Sequence, residues 1–368
     1  MENNKVPRLV FDVDDTICKN GRVNGYLYAE PMPKVIEKIN HLHDDLGYEI
    51  VLFTARGAIS CEGNLDRIKE KNEQILIEWL RRNDVHYDEL FFGKPLGDLY
   101  IDDKGISLSQ FMYEDFGPLH GGSGQNIYRL GNIVRKDMKN HEEVEMLEDW
   151  MEANANLLNA PRIISAVYDS VYMEYVGGQL LCDCLDELTL IDLVYTIYGF
   201  SLKKYPSFDL TKHLNSLAKH KGFHAEIDKD IDECIKALMK HEKSITNKAS
   251  FSHGDMTLCN IIKEYNSERL CFIDPQFKPD ASSYLLDFAK LRMSLDGYEY
   301  EFGISNKNNR SMKVILDEFL ESKKLLDEVV ILEVMWILRL TRYKDDKDKV
   351  ANFARRVMVE HEELFRTK

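Results

Sequence analysis

Over residues 1–115 the chain alternates between short apolar runs and segments with helical periodicity. Arg8–Val13 and Glu49–Phe53 are predicted to be buried strands, and the segments that follow them place apolar residues at helical spacing. Pro33–Leu46 is a predicted helix whose first position suits Pro33, because a missing N–H group costs nothing there. Asn64–Arg82 is a second predicted helix. Strands that alternate with helices in this way predict a parallel α/β sheet.

Leu90–Phe92 and Leu99–Ile101 are predicted as two more short strands of this first region. The pattern changes after them. Gly and Pro residues then cluster between Gly117 and Gly124, which is typical of a break between structural regions. Beyond the break, Asn126–Lys136 predicts a β-hairpin with its turn at Gly131.

Most of the remaining chain has helical patterns. A helix is expected at about His141–Ala155 and a strand at Val171–Val176, and Leu188–Lys248 and the segment after Ser311 are predicted to be mainly helical. The apolar run Val329–Leu340 is much shorter than the ~20 residues that span a bilayer, so it predicts a buried helix. A small β-rich lobe followed by a larger helical lobe has the outline of a two-lobed kinase.

The length of 368 residues exceeds what one hydrophobic core usually supports, so two domains are expected. We predict a first domain at residues 1–115 with an α/β, Rossmann-like parallel sheet. The second domain is predicted at residues 116–368, with a two-lobed, protein-kinase-like α+β fold whose N-lobe spans about 118–176 and whose C-lobe spans about 177–368. No internal repeat suggests any other division.

The formal net charge of −15 argues against non-specific binding of nucleic acid or of an anionic membrane. The apolar run Leu9–Val13 is too short for a targeting segment and contains Asp12. The seven cysteines are odd in number and form no Cys-x-x-Cys pair, which favours free thiols in a reducing compartment. The expectation is a cytoplasmic protein without a membrane span that acts on small molecules.

Polar side chains stand at or just after the ends of the predicted strands in residues 1–115. Asp12 and Asp14 follow the first strand, Thr54 the second, Lys94 the third and Asp102 the fourth. Because the carboxyl ends of parallel strands share one edge of a sheet, these side chains are expected to meet there. A carboxylate at this edge can attack phosphorus, and a second acid can protonate the leaving oxygen.

Carboxylates so close together would repel a phosphate group unless cations lie among them. Asp102 and Asp103 offer oxygen ligands to Mg²⁺, which prefers oxygen donors. Thr54 can donate a hydrogen bond to a phosphoryl oxygen, and Lys94 can neutralise the negative charge that develops during the reaction. These residues therefore predict a Mg²⁺-dependent phosphatase site.

Four segments carry a family resemblance in residues 1–115. They are Asp12–Thr16, Val51–Arg56, Lys94 and Ile101–Asp103. In this order they resemble the four motifs of the haloacid dehalogenase (HAD) phosphatases, although Asp15 stands where that family usually has Gly. The stretches between the motifs have no room for a large cap domain, so the resemblance implies a member with an open site.

The HAD resemblance also implies roles for individual residues. It makes Asp12 the nucleophile and Asp14 the general acid/base, with Thr54 and Lys94 as phosphate ligands. The implied Mg²⁺ ligands are Asp12, the backbone of Asp14, and Asp102.

A second group of polar residues lies about three quarters of the way along the chain. Phosphoryl transfer from ATP needs a base near the acceptor hydroxyl, two metal-binding groups and a cation on the nucleotide phosphates. Asp255 can act as the base, and Asn260 and Asp274 can bind Mg²⁺. No Gly-x-x-x-x-Gly-Lys-Ser/Thr motif occurs in the sequence, which argues against a P-loop kinase.

Ser252–Asn260 and Phe272–Asp274 resemble the catalytic segments of the aminoglycoside phosphotransferase and choline kinase family. Met173–Gly178 is similar to that family's hinge between lobes, which implies Glu174 and Val176 as nucleotide-binding residues. Asp287 matches a further acidic position that is usually structural. The resemblance spans about residues 118–368.

The cation that contacts the nucleotide phosphates stays open between two neighbours. Arg135 stands at the family position, whereas Lys136 offers the commoner chemistry. Adjacent residues on a strand face opposite sides, so only one of them can point at ATP. The helix acid that would pair with this cation is expected to be Glu143, with Glu145 as the alternative.

The combined expectation is a bifunctional enzyme, a Mg²⁺-dependent phosphatase fused to an ATP- and Mg²⁺-dependent kinase for a small-molecule hydroxyl. Such a pair could act on different positions of one compound, for example in making precursors of cell-surface polysaccharides. The acceptor stays open between a sugar, a polyol and an amino alcohol. Asp183, Asp186 and Glu187 could hold an amine, and nearby aromatic residues could form a cation–π cage. The alternative function is a nucleotide-binding regulatory or scaffolding protein with one domain inactive.

Overall fold

In the computed structural model the chain forms two compact units. Unit 1 comprises Met1–His141 and Ile163–Tyr175, and unit 2 comprises Glu142–Arg162 and Val176–Lys368. The structure describes residues 6–19, 21, 25–94, 105–119, 126–205, 208–222, 225–265, 267–276 and 282–365. The predicted strand Leu99–Ile101 lies outside the described residues.

Unit 1 begins with alternating strands and helices. In chain order these are β1 (Arg8–Phe11), β2 (Cys18–Lys19), β3 (Glu30–Pro31), α1 (Pro33–Asp44), β4 (Glu49–Thr54), α2 (Leu65–Arg82), β5 (Glu89–Phe92) and α3 (Leu108–Tyr113). Strands β1, β4 and β5 form a parallel sheet in that spatial order, and β2 pairs with β3 in a short antiparallel ribbon. The predicted parallel sheet is confirmed. Between β1 and β4 the described residues form only this ribbon, a short 3₁₀ turn and α1, so no large cap is inserted there.

The helices form where the sequence patterns place them. Pro33 occupies the first turn of α1, and the predicted apolar face of this helix is buried. Helix α2 begins after Asn64, whose side chain accepts the N–H group of Arg67 and so satisfies one of the free donors at the helix start. Trp79 on α2 is buried, and its indole N–H donates to the carbonyl of Ala29 at 2.8 Å.

A five-stranded antiparallel sheet completes unit 1. Its strands are β6 (Phe116–Leu119), β7 (Ile127–Leu130), β8 (Ile133–Asp137), β9 (Ile163–Val167) and β10 (Ser170–Glu174), in the spatial order β6-β7-β8-β10-β9. The predicted hairpin is confirmed as β7 and β8. The expected break at Gly117–Gly124 is wrong in its first part, because Phe116–Leu119 forms a strand. Pro118 is tolerated there since β6 is at the edge of the sheet, where one side needs no backbone donor.

The two sheets of unit 1 share one hydrophobic core. Phe111 packs edge-on against Phe11 at 5.0 Å and against Phe116 at 5.3 Å between ring centroids. Tyr48 packs in the same manner against Tyr128 at 6.1 Å. The parallel sheet and the five-stranded sheet are therefore packed together, although the sequence predicted a domain boundary between residues 115 and 116.

Unit 2 is mainly helical. Helix α4 spans His141–Asn154, and all of it except His141 belongs to unit 2. The elements that follow are β11 (Gly178–Leu180), α5 (Leu181–Cys184), α6 (Glu187–Gly199), α7 (Leu210–Ala218), α8 (Ala225–Thr246), β12 (Ile261–Glu264), β13 (Leu270–Phe272), α9 (Tyr284–Leu295), α10 (Tyr298–Glu301), α11 (Lys313–Lys323), α12 (Leu326–Arg339), α13 (Lys347–Glu360) and α14 (Glu362–Phe365). Strands β11, β12 and β13 form a small antiparallel sheet.

Helices α9 and α12 lie at the centre of unit 2. The predicted buried helix at Val329–Leu340 is confirmed, since nearly all of α12 is buried. The guanidinium of Arg292 on α9 contacts Asp317 at 2.8 Å and forms an ion pair with Glu333 on α12. Burial raises the pKa of Glu333, and Arg292 opposes that rise. Among the described helices, none has the length and apolar character needed to cross a membrane.

Candidate active sites

The structure brings three of the predicted residues of unit 1 together at the carboxyl edge of the parallel sheet. A carboxylate oxygen of Asp12, just after β1, lies 3.2 Å from the ammonium nitrogen of Lys94. The backbone N–H group of Lys94 donates to the carbonyl of Thr54, which ends β4. Thr54 is fully buried, and its hydroxyl oxygen accepts the N–H group of Arg56 at 3.0 Å. We call Asp12, Asp14, Thr54, Arg56 and Lys94 the Asp12 site.

Arg56 fixes the second acid of the Asp12 site. Its Nε lies 3.1 and 3.0 Å from the two carboxylate oxygens of Asp14, and its side chain is buried against the ring of Tyr26. A paired guanidinium holds a carboxylate in one orientation more tightly than a single ammonium does. Arg56 belongs to the predicted motif Val51–Arg56, in which it had no assigned role. Its signal was a lone arginine two residues after Thr54, at the end of a predicted strand.

Cys18 lies beside this ion pair. Its thiol is 3.7 Å from a carboxylate oxygen of Asp14 and 3.4 Å from Nη2 of Arg56. Burial raises the pKa of Cys18 to about 11, so the thiol stays protonated and is no nucleophile at neutral pH. The expected metal ligand Asp102 lies outside the described residues.

In unit 2, the segment from His253 to Asn260 forms a loop whose backbone is hydrogen-bonded to Asp287 on α9. The two carboxylate oxygens of Asp287 accept the backbone N–H groups of His253 and Gly254 at 2.8 and 2.7 Å. Gly254 has a φ of +83°, and a Cβ atom there would lie 2.7 Å from the Cβ of Gln276. The loop therefore requires glycine at this position.

Asp255 lies at the centre of this loop and contacts two side chains. The amide nitrogen of Asn260 donates to one of its carboxylate oxygens at 3.0 Å and also to its backbone carbonyl. Its other oxygen lies 3.0 Å from the ammonium of Lys290 on α9, in an ion pair rather than an aligned hydrogen bond. We call Asp255, Asn260, Asp274 and Lys290 the Asp255 site.

Backbone hydrogen bonds place Asp274 beside the loop. The N–H group of Ile273, the residue before it, donates to the carbonyl of Asn260 at 2.9 Å. The N–H group of Gln276 donates to the carbonyl of His253 at 2.8 Å. Asp274 itself has a φ of +57°, the left-handed region that non-glycine residues seldom adopt. Such a conformation at a loop is often associated with function.

His253 supports the loop from the core of unit 2. Its ring is fully buried and lies edge-on to Trp150, with 6.4 Å between ring centroids. Burial lowers the pKa of His253 to about 4, although the nearby carboxylates of Asp255 and Asp274 oppose that shift. A neutral, buried imidazole here is a structural support for the loop.

Lys290 is the residue of the Asp255 site that the sequence analysis missed. It lies on the same helix as Asp287, three positions further along, so one helix supports the loop backbone and contacts the acid. Its sequence signal was weak, because a lysine near the middle of a helix is usually solvated. A cation beside the candidate base can neutralise charge on a transferring phosphoryl group.

The two candidate nucleotide cations lie on β8 of unit 1, next to each other. Both side chains are largely buried. Arg135 bonds Asp137, donates to the carbonyl of Val6 and lies over the ring of Tyr128, so its side chain faces the parallel sheet. Lys136 therefore projects from the opposite face of the five-stranded sheet.

The remaining predicted nucleotide-binding residues lie in helix α4, at the end of strand β10 and two residues beyond that strand. Glu143 is half-buried in the first turn of α4, whereas the alternative Glu145 is exposed. Glu174 ends β10 in unit 1, and Val176 is the first residue of the longer segment of unit 2.

The acidic and aromatic residues that could hold an amine have other contacts in unit 2. Asp186 caps α6 by accepting from Thr189 and also binds Lys263. The hydroxyl of Ser305 donates to a carboxylate oxygen of Asp183 at 2.5 Å. Tyr198 packs in the core against Tyr284 and Phe319 with ring centroids 6.3 and 5.5 Å away. Asp183, Asp186 and Tyr198 thus each have partners within unit 2.

Neither a protein-family model nor a curated protein matches the chain. Among solved structures, a structural genomics target from Vibrio cholerae is 34% identical over 30% of this chain and 90% of that chain, with a TM-score of 0.29. The aminoglycoside phosphotransferase APH(2'')-IIa, solved with streptomycin and ATP, is similar over 70% of this chain and 96% of that chain, with 14% identity and a TM-score of 0.45. The choline kinase LicA from Streptococcus pneumoniae is similar over 67% and 92%, with 13% identity and a TM-score of 0.47.

These similarities extend over about two thirds of the chain for the two phosphotransferases. None of the three structures is named as a phosphatase. Every one of these TM-scores lies below 0.5, so the proposed function is based on contacts within this chain.

Proposed function

We propose that the chain is an ATP-dependent kinase that transfers a phosphoryl group to a hydroxyl of a small molecule. The observation that carries this proposal is the position of Asp255. Its carboxylate lies between the amide of Asn260 and the ammonium of Lys290, on a loop anchored by Asp287. Such a carboxylate can accept the proton of an acceptor hydroxyl as the oxygen attacks the terminal phosphorus of ATP.

Two residues have the oxygen donors that Mg²⁺ requires. Asn260 donates through its amide nitrogen to Asp255, which leaves its amide oxygen as an acceptor. Asp274 follows Ile273, whose N–H group donates to the backbone carbonyl of Asn260, so the two candidate ligands lie on neighbouring backbone segments. Bound Mg²⁺ would neutralise charge on the ATP phosphates. This donor set fits the ion, because Mg²⁺ prefers one or two carboxylates with phosphate oxygens.

We assign the nucleotide cation to Lys136 rather than Arg135. The Arg135 guanidinium is engaged by Asp137 and faces the parallel sheet, whereas Lys136 projects from the other face of β8. Glu143, Glu174 and Val176 stay candidate nucleotide contacts on the strength of the sequence resemblance. Lys136→Met is expected to weaken ATP use, and Arg135→Met is the comparison variant.

The test is phosphate accounting by ³¹P NMR with the full chain, ATP, Mg²⁺ and a panel of polyols, sugars, amino alcohols and their phosphates. We expect the wild type to phosphorylate at least one acceptor and Asp255→Asn to lose that activity. Asp192→Asn, on the exposed side of α6, is the matched control. If the wild type binds ATP but transfers phosphate to no acceptor, a nucleotide-binding regulatory or scaffolding protein becomes the better interpretation.

A second function, phosphomonoester hydrolysis, is favoured by one observation in unit 1. Asp12 lies 3.2 Å from Lys94 beside a second acid that Arg56 holds in place. In the proposed reaction, an oxygen of Asp12 attacks phosphorus and the ester oxygen leaves, taking a proton from Asp14. Water then hydrolyses the aspartyl-phosphate. Asp12, the backbone of Asp14, and Asp102 are the proposed Mg²⁺ ligands.

The phosphatase proposal has its own test. The full chain is expected to release inorganic phosphate from p-nitrophenyl phosphate in the presence of Mg²⁺ and absence of ATP, and Asp12→Asn is expected to abolish this release. Asp66→Asn, which changes an exposed carboxylate in α2, is the control. Equal rates for wild type and Asp12→Asn would contradict the proposal without affecting the kinase.

A further inference from the structure

The surroundings of the Asp255 site in unit 2 contain two cations that lie against one aromatic ring. Lys290, which contacts Asp255, also lies 4.3 Å from the ring centroid of Trp336 on α12. The guanidinium carbon of Arg339, at the end of the same helix, lies 4.3 Å from the same centroid. The carboxylate of Asp255 therefore contacts the ammonium of Lys290, and the indole of Trp336 lies near both this ammonium and the guanidinium of Arg339.

Arg339 differs from four other buried or half-buried arginines of unit 2. Arg292 pairs with Asp317 and Glu333, Arg355 with Asp230, and Arg310 and Arg356 with Glu301. No carboxylate of the described residues lies within ion-pair distance of Arg339. Its guanidinium instead lies 3.4 Å from Nδ1 of His213. Burial lowers the pKa of Arg339, so a guanidinium is held here without charge compensation.

An uncompensated, half-buried guanidinium is costly unless an anion binds to it. The net charge of the chain is −15, so acids are plentiful, yet none of the described acids is placed at Arg339. The indole N–H of Trp336 is also buried, and no described residue accepts its hydrogen bond. An indole N–H without an acceptor beside a guanidinium without a carboxylate points to a ligand with anionic oxygens.

The same geometry disfavours a cationic acceptor. An ammonium substrate is usually held on the face of an aromatic ring. The ring of Trp336 near the base already has two cations at 4.3 Å, which would repel a third. Two of the three acids that could have held an amine, Asp183 and Asp186, are engaged by Ser305 and by Thr189 with Lys263.

We propose that the acceptor of the kinase is an alcohol that also carries an anionic group, a phosphate ester or a carboxylate, which Arg339 and Trp336 bind while Asp255 faces its hydroxyl. This inference rests on the proposed kinase function. The hydroxyl loses its proton to Asp255, its oxygen forms a bond to the terminal phosphorus of ATP, and ADP leaves. Arg339 binds the acceptor and takes no part in the bond changes.

The experiment uses the full chain with Asp12→Asn as the parent, so that the proposed phosphatase does not consume phosphate esters. Initial rates of ADP formation are compared for glycerol 3-phosphate, D-glycerate, glycerol and choline. We expect one of the two anionic alcohols to have a kcat/KM at least about 10-fold above those of glycerol and choline, since hydrogen bonds to charged groups are the strong ones. The two anionic arms distinguish a phosphate ester from a carboxylate.

Arg339→Gln is then expected to raise the KM for that anionic acceptor by about 10-fold to 100-fold with a smaller change in kcat. Arg339→Lys should restore part of the loss. Arg342→Gln, which removes an exposed arginine three residues away, is the matched control and should leave KM unchanged. A kcat/KM for glycerol or choline above those of both anionic alcohols overturns the inference and leaves the kinase proposal intact.

A binding measurement separates failure of the inference from failure of the kinase proposal. Titration of glycerol 3-phosphate and of D-glycerate by calorimetry in the absence of ATP should show saturable binding of one of them, which Arg339→Gln weakens. If no acceptor supports ADP formation, the kinase proposal fails, and this titration still decides whether the anion site exists. Equal binding by parent and Arg339→Gln, or none by either, overturns the inference.

Discussion

Asp287 holds the backbone of Gly254 through a 2.7 Å hydrogen bond from the Gly254 N–H group, and its second oxygen accepts the N–H group of His253. The carboxylate is fully buried, so these two donors are its stabilising partners. Burial raises the pKa of Asp287 to about 7, and the two N–H groups oppose that shift. The shape of the loop that carries Asp255 thus depends on a residue that touches no substrate.

Replacing Asp287 by alanine is expected to leave two buried N–H groups without acceptors. Each costs about 1–3 kcal/mol, so unit 2 should lose several kcal/mol of stability. Phosphoryl transfer should fall at least about 100-fold because Asp255 is no longer positioned. Thermal unfolding and kcat measure the two effects. Wild-type kcat in a folded Asp287→Ala protein would show that the loop holds its shape without this carboxylate.

Gly254→Ala is expected to impair the same loop for a steric reason. A non-glycine residue at a φ of +83° costs about 1–3 kcal/mol, and the new Cβ would overlap that of Gln276. Gly199→Ala is the matched control, because a Cβ there has no neighbour within 4 Å and alanine is a better helix former. We expect lower stability and lower kcat only for the first variant. Equal melting temperatures for the two would contradict the strain argument.

Lys290→Met is expected to lower the rate of phosphoryl transfer. Without the ammonium at 3.0 Å, Asp255 loses one of its two side-chain partners, and the transferring phosphoryl group loses a neighbouring cation. We expect kcat to fall by about 100-fold, and Lys290→Arg should restore part of the loss. A wild-type kcat in Lys290→Met would show that this ion pair has no influence on the reaction.

His253 predicts a pH-dependent stability of unit 2. Its folded-state pKa of about 4 lies below its ordinary value of 6.5, so the unfolded state binds more protons between these values. The stability contribution is full above about pH 6.5 and is lost as pH falls toward 4, by at most about 3 kcal/mol. His253→Gln should show a flatter dependence in urea unfolding from pH 7 to 4.5 than wild type or the exposed control His41→Gln. Parallel curves for all three would contradict the prediction.

Removing one partner of the Arg292–Glu333 ion pair is expected to destabilise unit 2 more than replacing both partners by apolar residues. Arg292→Met leaves the Glu333 carboxylate buried without its partner, which typically costs about 3–5 kcal/mol. The double variant Arg292→Met/Glu333→Leu removes both charges and should recover part of that loss. Lys229→Met, which removes an exposed pair with Glu233, should cost less than about 1 kcal/mol. Urea unfolding of each variant measures these differences.

Much of the secondary structure was predictable because it follows local patterns. Helix α1 begins at Pro33 as predicted, and α12 occupies the predicted buried run. The strand at Phe116–Leu119 was missed because its Gly and Pro residues are typical of loops, and only pairing with β7 makes it a strand. The packing of Phe116 on Phe111 was equally invisible, since it joins segments that local periodicity treats separately.

In the candidate sites, residues within motifs were predictable and residues from supporting helices were not. Asp255 and Asn260 were chosen from their spacing on one loop, and the structure brings them together. Lys290 and Arg339 have no motif, because their significance arises from their neighbours in space. The choice between Arg135 and Lys136 needed the contacts of β8, which show which face of the sheet each residue takes.

The core shared by the parallel and five-stranded sheets has an evolutionary consequence. Deleting residues 1–115 would remove Phe111 from Phe116 and Tyr48 from Tyr128, leaving apolar side chains of the second sheet exposed to water. A lineage that no longer needed the Asp12 site could therefore lose its acids one by one, but could not discard the segment without redesigning that face. Selection on this shared core therefore acts on both sheets together, independently of the acids of the Asp12 site.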